Sequence, residues 1–332
     1  MIGIKFPDTN SIGIEDVLEC AAAADRAGFE SLWMSDYATG DAFAVLAACA
    51  VATEQIRLAT GVAIVFNRAP TTLAMAAASL DTISKGRHIL GLGTGHRAIV
   101  EEQNGLIYER PVRRLIEYTE ITRELVANGE VSYRGELFSL DYKPWVGFHR
   151  PRIPIMFAPF VESSARRAGR MADGTLSTLV TPGRIRTVAD WVADGAREAG
   201  RDPADVEIGA YLWTIVARDE ETRKAGRRLI RSQIAWYAGA LPLYANLLRD
   251  SGYTENVDHV AALWQAGEQE AAVNAVSDDL VDGVGVIGDL DDIRERIEEY
   301  RAAGLKRPVL YPVPLSSSET KQAFMATAEV LS

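Results

Sequence analysis

Short apolar runs alternate along this chain with longer segments in which apolar residues recur at helical spacing. Runs that are apolar along nearly their whole length are typical of parallel strands covered by helices on both faces. The pattern predicts eight such strands, at residues 2–6, 31–34, 56–65, 88–92, 153–157, 174–178, 206–217 and 307–311. Eight strand–helix units predict an α/β fold, the (β/α)8 TIM barrel. The rival, a doubly wound open sheet, would be favoured by a dinucleotide-binding motif after an early strand, and the sequence has none.

The chain is longer than a minimal barrel needs. It has 332 residues, whereas such barrels typically take about 250. We therefore predict a single domain over residues 1–332 that carries two insertions. The first, near 95–152, contains a helix at 112–128 and a hairpin over 131–138, and the second, near 232–304, is predicted to form several helices.

Composition limits the classes of function. The net charge is −11, so the chain lacks the basic surface that nucleic-acid binding requires. No run of 18 apolar residues suggests a membrane span, and the first residues lack a secretory signal. Cys20 and Cys49 each lie in an alanine-rich predicted helix, so we expect buried free thiols in a reducing compartment, the cytoplasm.

Glycines and one histidine follow the fourth predicted strand. The segment Gly91-Leu92-Gly93-Thr94-Gly95 is not a G-x-G-x-x-G motif, because position 96 is His96. It fits either a tight turn at a strand end or a place where a ligand approaches the backbone. His96 lies where a barrel strand continues into its loop, the rim at which TIM barrels carry catalytic groups. We expect His88 to be structural, and His149 and His259 to lie on the surface.

Other catalytic signatures are weak or missing. The histidine spacing gives no helical metal pair, so no metal site is predicted, and the sequence has no G-x-S-x-G nucleophile motif. Asp8 and Asp36 follow the first two strands and could serve an unrelated TIM-barrel hydrolase. Asp36 could equally cap the next helix. Gly61 interrupts the long third strand, which suggests a bulge or a close approach.

Four segments together resemble the bacterial luciferase-like superfamily of TIM barrels. They are 80–87 (LDTISKGR), 91–95, 110–118 (RPVRRLIEY) and 172–174 (ADG). Within that superfamily the chain is most similar to the branch that uses coenzyme F420, a deazaflavin hydride carrier, and resembles the methylenetetrahydromethanopterin reductases. The resemblance implies an F420-dependent oxidoreductase that transfers a hydride between the deazaflavin and an unidentified small organic substrate. It also implies a homodimer.

Two alternatives share this scaffold. One is an FMN-dependent luciferase-like monooxygenase, in which reduced flavin reacts with oxygen. The other is a barrel that binds a flavin or deazaflavin without turnover.

The resemblance also implies roles for particular residues. A non-prolyl cis peptide at Gly61–Val62, followed by Ala63, would lie behind the deazaflavin ring, with Asp36 near the ring and Thr94 and Gly95 beside it. The tail phosphate would lie near Glu162, Ser163 and Thr178, where amides at a helix start can bind an anion. His96 is the expected proton donor or acceptor, with Tyr37 and Asp36 assisting.

The chain departs from its relatives at several of these positions. Tyr37 stands where the family often has His, His96 where some members have an acid, and Lys5 where the reductases have a carboxylate. The turn at 158–162 lacks the glycines with which relatives approach phosphate. Positive potential could come instead from Arg166, Arg167, Arg184 and Arg186. Aromatic side chains that could line a substrate cavity, or simply pack in the core, are Phe66, Trp145, Phe148, Trp213, Trp236 and Tyr237.

Overall fold

A computed structural model describes residues 1–8, 12–36, 40–144 and 150–331. Tyr37, Trp145, Phe148 and His149, which the sequence analysis singled out, lie outside these ranges. The strands are β1 (Gly3–Lys5), β2 (Ser31–Met34), β3 (Arg57–Thr60), β4 (Ala63–Ile64), β5 (His88–Gly93), β6 (Val131–Arg134), β7 (Ser139–Tyr142), β8 (Ile155–Phe157), β9 (Gly174–Ser177), β10 (Glu207–Val216), β11 (Gly285–Gly288) and β12 (Arg307–Pro312).

Helices follow most of the strands. They are α1 (Ile14–Arg26), α2 (Ala42–Ala52), α3 (Pro70–Ile83), α4 (Pro111–Asn128), α5 (Glu162–Met171), α6 (Pro182–Glu198), α7 (Glu220–Ala240), α8 (Pro242–Leu248), α9 (Thr254–Gln265), α10 (Gln269–Ala275), α11 (Asp278–Val284), α12 (Leu290–Ala302) and α13 (Thr320–Ala328). Among the described residues, no helix is both long and apolar enough to cross a membrane.

The predicted (β/α)8 barrel is confirmed. Each of the eight predicted strands is present, with β3 and β4 together forming the third. The chain divides into two compact units. In residues 13–158, β3 pairs in parallel with β2 and β5, and β5 pairs with β8. In the unit formed by residues 1–12 and 159–332, β12 pairs in parallel with β1 and β10, and β10 pairs with β9.

The sequence analysis predicted one continuous third strand over residues 56–65. The structure instead breaks this strand after Thr60. Leu58 of β3 pairs with His88 of β5, thirty residues further along the chain. Ala63 of β4 pairs with Leu92, only twenty-nine further along. One extra residue is therefore present on the third strand, which is the definition of a bulge. The glycine inside the strand correctly indicated its position.

The second insertion contains a strand as well as helices. Residues 285–288, predicted to belong to a helical segment, form β11 and pair with the last four residues of β10, from Trp213 to Val216. The reason is the length of β10, which at ten residues extends past its pairing with β9 and leaves backbone groups for a further partner. Helices α7 to α11 pack their apolar residues against Trp213 and Ile215 of β10.

The first insertion holds its hairpin through a buried carboxylate. The hairpin pairs β6 with β7, so its second strand lies later in the chain than the predicted limit of residue 138. Glu117 of α4 accepts hydrogen bonds from the amides of Glu136, Leu137 and Phe138, and a further one from Arg113 at 2.6 Å. Burial raises the pKa of Glu117, but these hydrogen bonds outweigh it, so the pKa is lowered and the carboxylate stays ionised.

His88 and the cysteines occupy the buried positions expected of them. Cys20 and Cys49 are buried free thiols. The ring of His88 is fully buried in β5, and its Nδ1 lies 2.8 Å from the carbonyl oxygen of Leu58, to which it donates. Burial lowers the pKa of His88 to about 4.

We expect His88 to make stability fall as the pH is lowered. In the unfolded chain its pKa returns to about 6.5, so between pH 7 and pH 5 the unfolded state binds a proton that the folded state does not. This group should lower the free energy of unfolding by about 2 kcal/mol over that range and have no effect above pH 7. Urea denaturation at several pH values measures it. His88→Asn keeps a donor for the carbonyl oxygen of Leu58 and cannot titrate, so its free energy of unfolding should lack this decrease between pH 7 and pH 5. If the free energy of unfolding of the variant fell with pH as steeply as that of the wild type, His88 would not be the group responsible.

Candidate active site

Asp36, the second residue after β2, is a buried carboxylate with several partners. Both of its oxygens are bound by the guanidinium of Arg68, through Nη1 and, at 3.1 Å, Nη2. Its Oδ1 also accepts from the amide of Ala42 at 3.2 Å, the first residue of α2. Burial raises the pKa of Asp36, and Arg68 partly offsets that rise. Asp36 therefore organises this rim, while Asp41 supplies the cap of α2.

The bulge of the third strand packs directly on the glycines of β5. The Gly61–Val62 peptide is cis, as the resemblance implied. A Cβ on Gly91 would lie 2.1 Å from the carbonyl oxygen of Thr60, and one on Gly93 would lie 2.4 Å from a methyl group of Val62. Gly91 and Gly93 lie inside β5 and do not form a tight turn. Close approach of the neighbouring strand, and not a nucleotide, explains why these two positions need glycine.

Thr94, Gly95 and His96 leave β5 beside this bulge. Gly95 has a φ of +68°, and a Cβ there would also lie 2.8 Å from Ile64. The hydroxyl of Tyr108 donates to the carbonyl oxygen of Gly95 at 3.2 Å. Thr94 is half-buried.

His96 begins a short helical stretch, where its carbonyl oxygen accepts from the amide of Val100 at 3.1 Å. Partial burial lowers the pKa of His96 below its ordinary 6.5, so the imidazole is neutral at neutral pH. A neutral imidazole can accept a proton.

Glu162 and Ser163 form the first turn of α5, in the other unit. The hydroxyl of Ser164 orders this turn, because it accepts from the amides of Phe160 and Val161, each at 3.1 Å. Glu162 is bound by Arg166 at 2.7 Å. Arg166 also binds the carboxylates of Asp194 and Glu198, so the expectation that it supplies positive potential for an anion is wrong.

Arg184 is the cation that reaches the same turn from α6. It is 3% exposed, and its Nη2 donates to the carbonyl oxygen of Phe160 at 2.9 Å. A carboxylate oxygen of Asp250 lies 3.9 Å from it. Its Nε, and the buried Oγ of Ser177 just before Thr178, have no hydrogen-bond partner among the described residues. Buried polar groups without partners are uncommon and point to a missing ligand or water.

Lys5, Asp8 and Tyr311 form a polar cluster at the carboxyl ends of β1 and β12. The ammonium of Lys5 lies 2.6 Å from Oδ1 of Asp8 and 4.1 Å from the centre of the Tyr311 ring. Sequence reasoning noted Lys5 and Asp8 separately and missed Tyr311. The signal was a lysine at the end of a buried apolar strand, since a buried charge needs a partner.

Of the aromatic residues proposed for a substrate cavity, the four that the structure describes are divided between two clusters. Trp213 and Tyr237 have ring centres 5.6 Å apart, and Tyr244 lies 4.5 Å from Tyr237. Trp236 is 44% exposed. In the other unit, Phe66 stacks on Tyr108 at 5.0 Å.

Comparison with known proteins gives a consistent family. Residues 3–307 match the family described as "Luciferase-like monooxygenase". A Mycobacterium tuberculosis protein with the provisional name of a coenzyme F420-dependent oxidoreductase is 31% identical over 88% of this chain and 89% of its own. The 5,10-methylenetetrahydromethanopterin reductase of Archaeoglobus fulgidus is 27% identical over 99% of this chain and 98% of its own.

A solved structure resembles the whole chain. It is the coenzyme F420-dependent tetrahydromethanopterin reductase from Methanopyrus kandleri, with a TM-score of 0.82 and 23% identity, covering 99% of this chain and 97% of that one. At this identity the likeness establishes the barrel fold.

Proposed function

Since the chain belongs to the luciferase-like monooxygenase family, we propose that it is an oxidoreductase that uses coenzyme F420. When bound, this deazaflavin accepts or donates a hydride, and the protein supplies binding, orientation and electrostatics. The reaction would move a hydride between the cofactor and a small organic substrate. The name of the 31% identical relative supports the choice of cofactor.

The ring of the cofactor is assigned to the bulge and the end of β5. Gly61, Val62 and Ala63 would lie behind it, and Thr94 and Gly95 beside it. The support is that β4 and β5 hold these two segments together in register, with Ala63 opposite Leu92. Asp36 is assigned a positioning role, because its carboxylate binds the guanidinium of Arg68 and also accepts from the amide of Ala42, the first residue of α2.

The phosphorylated tail is assigned to the first turn of α5 and to Arg184. The main support for the proposed function is the geometry of Arg184. Its buried guanidinium donates to the carbonyl oxygen of Phe160, in the turn that precedes α5, and its Nε has no partner among the described residues. Amides at a helix start and a guanidinium are both suited to phosphate. Ser163 and Thr178, with the nearby Ser177 hydroxyl, complete the assigned set. Glu162 is already neutralised by Arg166.

Replacing Arg184 should weaken cofactor binding. Arg184→Met removes a charged hydrogen-bond donor, so the Kd for coenzyme F420 should rise about 10- to 100-fold. Arg184→Lys keeps the positive charge but loses the planar guanidinium that can bind two phosphate oxygens at once, so its Kd should lie between those of the wild type and Arg184→Met. Fluorescence titration measures both. Arg197→Met, an exposed change on the same helix, is the control, and equal affinities in all three variants would reject the assignment.

His96 is proposed to exchange a proton at the cofactor ring. Without the imidazole, in His96→Ala, turnover should fall about 100-fold while the Kd for coenzyme F420 stays nearly unchanged. Because burial lowers the pKa of His96, the acid limb of the wild-type pH profile should lie below pH 6.5. His259→Ala, on the exposed face of α9, serves as control. Full turnover in His96→Ala would exclude this role.

An FMN-dependent monooxygenase is the second candidate, favoured by the description of the family itself. It shares the barrel and a phosphate on its cofactor. The two candidates differ in oxygen chemistry, since reduced FMN reacts readily with oxygen and a reduced deazaflavin essentially does not. Oxygen consumption with each reduced cofactor separates them.

A further inference from the structure

Lys5, Asp8 and Tyr311 are linked by directed hydrogen bonds. Lys5 Nζ donates to Oδ1 of Asp8 at 2.6 Å and to the carbonyl oxygen of Phe6 at 3.0 Å. The hydroxyl of Tyr311 donates to Oδ2 of Asp8 at 3.2 Å and accepts from the Asp8 amide at 3.4 Å. Each oxygen of the carboxylate thus has its own donor. The phenol oxygen keeps a second lone pair with which to accept a further hydrogen bond.

The side chains of this cluster differ in how far they are exposed to solvent. The Lys5 side chain is 2% exposed and that of Asp8 is 23% exposed. Tyr311 is half-buried near the carboxyl end of β12. Active sites of TIM-barrel enzymes lie at this end of the strands. A proton that reaches Asp8 can therefore exchange with solvent, whereas Lys5 holds the carboxylate from the buried side.

We propose that Tyr311 is a catalytic residue that exchanges a proton with a heteroatom of the substrate, and that Asp8 relays this proton to solvent. This rests on the proposed function, since coenzyme F420 is the hydride acceptor or donor. It restricts the substrate to a carbon–oxygen or carbon–nitrogen pair: an alcohol and its carbonyl compound, or an amine and its imine. Lys5 is a positioning residue.

The step balances in both directions. In oxidation, the carbon–hydrogen bond breaks and its electron pair leaves as hydride to the oxidised deazaflavin. The electron pair of the O–H or N–H bond becomes the new double bond, and its proton passes to the Tyr311 oxygen. At the same time the proton of Tyr311 passes to Asp8, which releases it to solvent. Reduction reverses each transfer, with the reduced deazaflavin as hydride donor.

The electrostatics suit this relay. Burial and the neighbouring Asp8 raise the pKa of Tyr311 well above its ordinary value, so the phenol keeps its proton throughout the neutral range. Burial lowers the pKa of Lys5, and Asp8 partly offsets the shift. His96, assigned to the cofactor ring, is a separate group with a separate proton.

The test uses the full chain with coenzyme F420 and a panel of secondary alcohols, aldehydes, ketones, amines and cyclic imines, followed by cofactor absorbance. Tyr311→Phe should lower kcat about 100-fold, with an increased solvent deuterium isotope effect and an unchanged Kd for coenzyme F420. Asp8→Asn should do the same. The double variant should lose no more than either single variant, because residues that act as one unit are not additive.

Tyr133→Phe is the matched control, because it also removes a phenol that donates to a carboxylate, that of Glu120 in the first insertion. It should leave kcat unchanged. Additive losses, or loss of kcat without a change in the isotope effect, would overturn the relay. Binding of coenzyme F420 without turnover of any panel compound would overturn the relay alone. Absence of coenzyme F420 binding would instead overturn the proposed function, and the relay with it.

Discussion

Gly91→Ala is expected to destabilise the fold by more than about 3 kcal/mol, the upper end of the cost of overpacking. The new Cβ would lie 2.1 Å from the carbonyl oxygen of Thr60, which is backbone and cannot turn away as a side chain can. That same backbone is held to β5, because the Thr60 hydroxyl donates to the Gly91 carbonyl oxygen at 2.9 Å. The strands must separate to admit one methyl group. Chemical denaturation, or the loss of soluble protein, measures the effect.

Gly13→Ala is the control for a glycine with room around it. Nothing lies within 4 Å of a Cβ placed there, and its φ of −75° suits any residue. It precedes α1, so its cost should be limited to about 1 kcal/mol, that of a poorer helix cap. Equal stabilities for the two variants would mean that the third strand does not pack on β5 as described.

Asp36→Asn should cost about 3 kcal/mol, because it leaves the guanidinium of Arg68 with a neutral partner in a buried position. Arg68 is 15% exposed, and it lies against the ring of Phe43 at 4.8 Å. It retains Asp41 at 2.7 Å, which keeps the loss at the lower end of the range for buried pairs. We also expect weaker cofactor binding, since the rim that Asp36 organises carries the residues assigned to the ring.

The matched control is Asp41→Asn, since Asp41 binds the same guanidinium of Arg68. The Asp41 side chain is 53% exposed, and exposed ion pairs contribute at most about 1 kcal/mol. Asparagine also keeps an oxygen that can accept from the amides of Phe43 and Ala44, so the cap of α2 survives. Similar losses for the two substitutions would show that the Asp36–Arg68 pair is not the stabilising element of this rim.

The barrel could be predicted because its strands are buried on both faces. Runs such as 88–92 have apolar residues at successive positions, and alternation with helical segments indicates parallel connections. The bulge was visible as a glycine in an overlong strand. The register of the bulge could not be predicted, since pairing depends on the partner strand. Strand β11 could not be predicted either, because it forms where β10 extends past its pairing with β9.

The site could be predicted only where its residues are close in sequence. Thr94, Gly95 and His96 follow one strand, so their position at the rim follows from the barrel. Asp8 and Tyr311 are 303 residues apart, and no local pattern joins them. The four arginines near the assigned phosphate site look equivalent in the sequence, and only packing distinguishes Arg184, which is buried with an unpartnered Nε, from Arg166, which is bound by three carboxylates.

The identity of the cofactor is the central claim, and a pair of equilibrium titrations tests it most directly. The purified protein is titrated with coenzyme F420 and, separately, with FMN, while quenching of ligand fluorescence is followed. We expect tight binding of coenzyme F420 and much weaker binding of FMN, with Arg184→Met weakening the former. Preference for FMN, or binding of neither, would contradict the proposed function and leave the family and the barrel fold as they are.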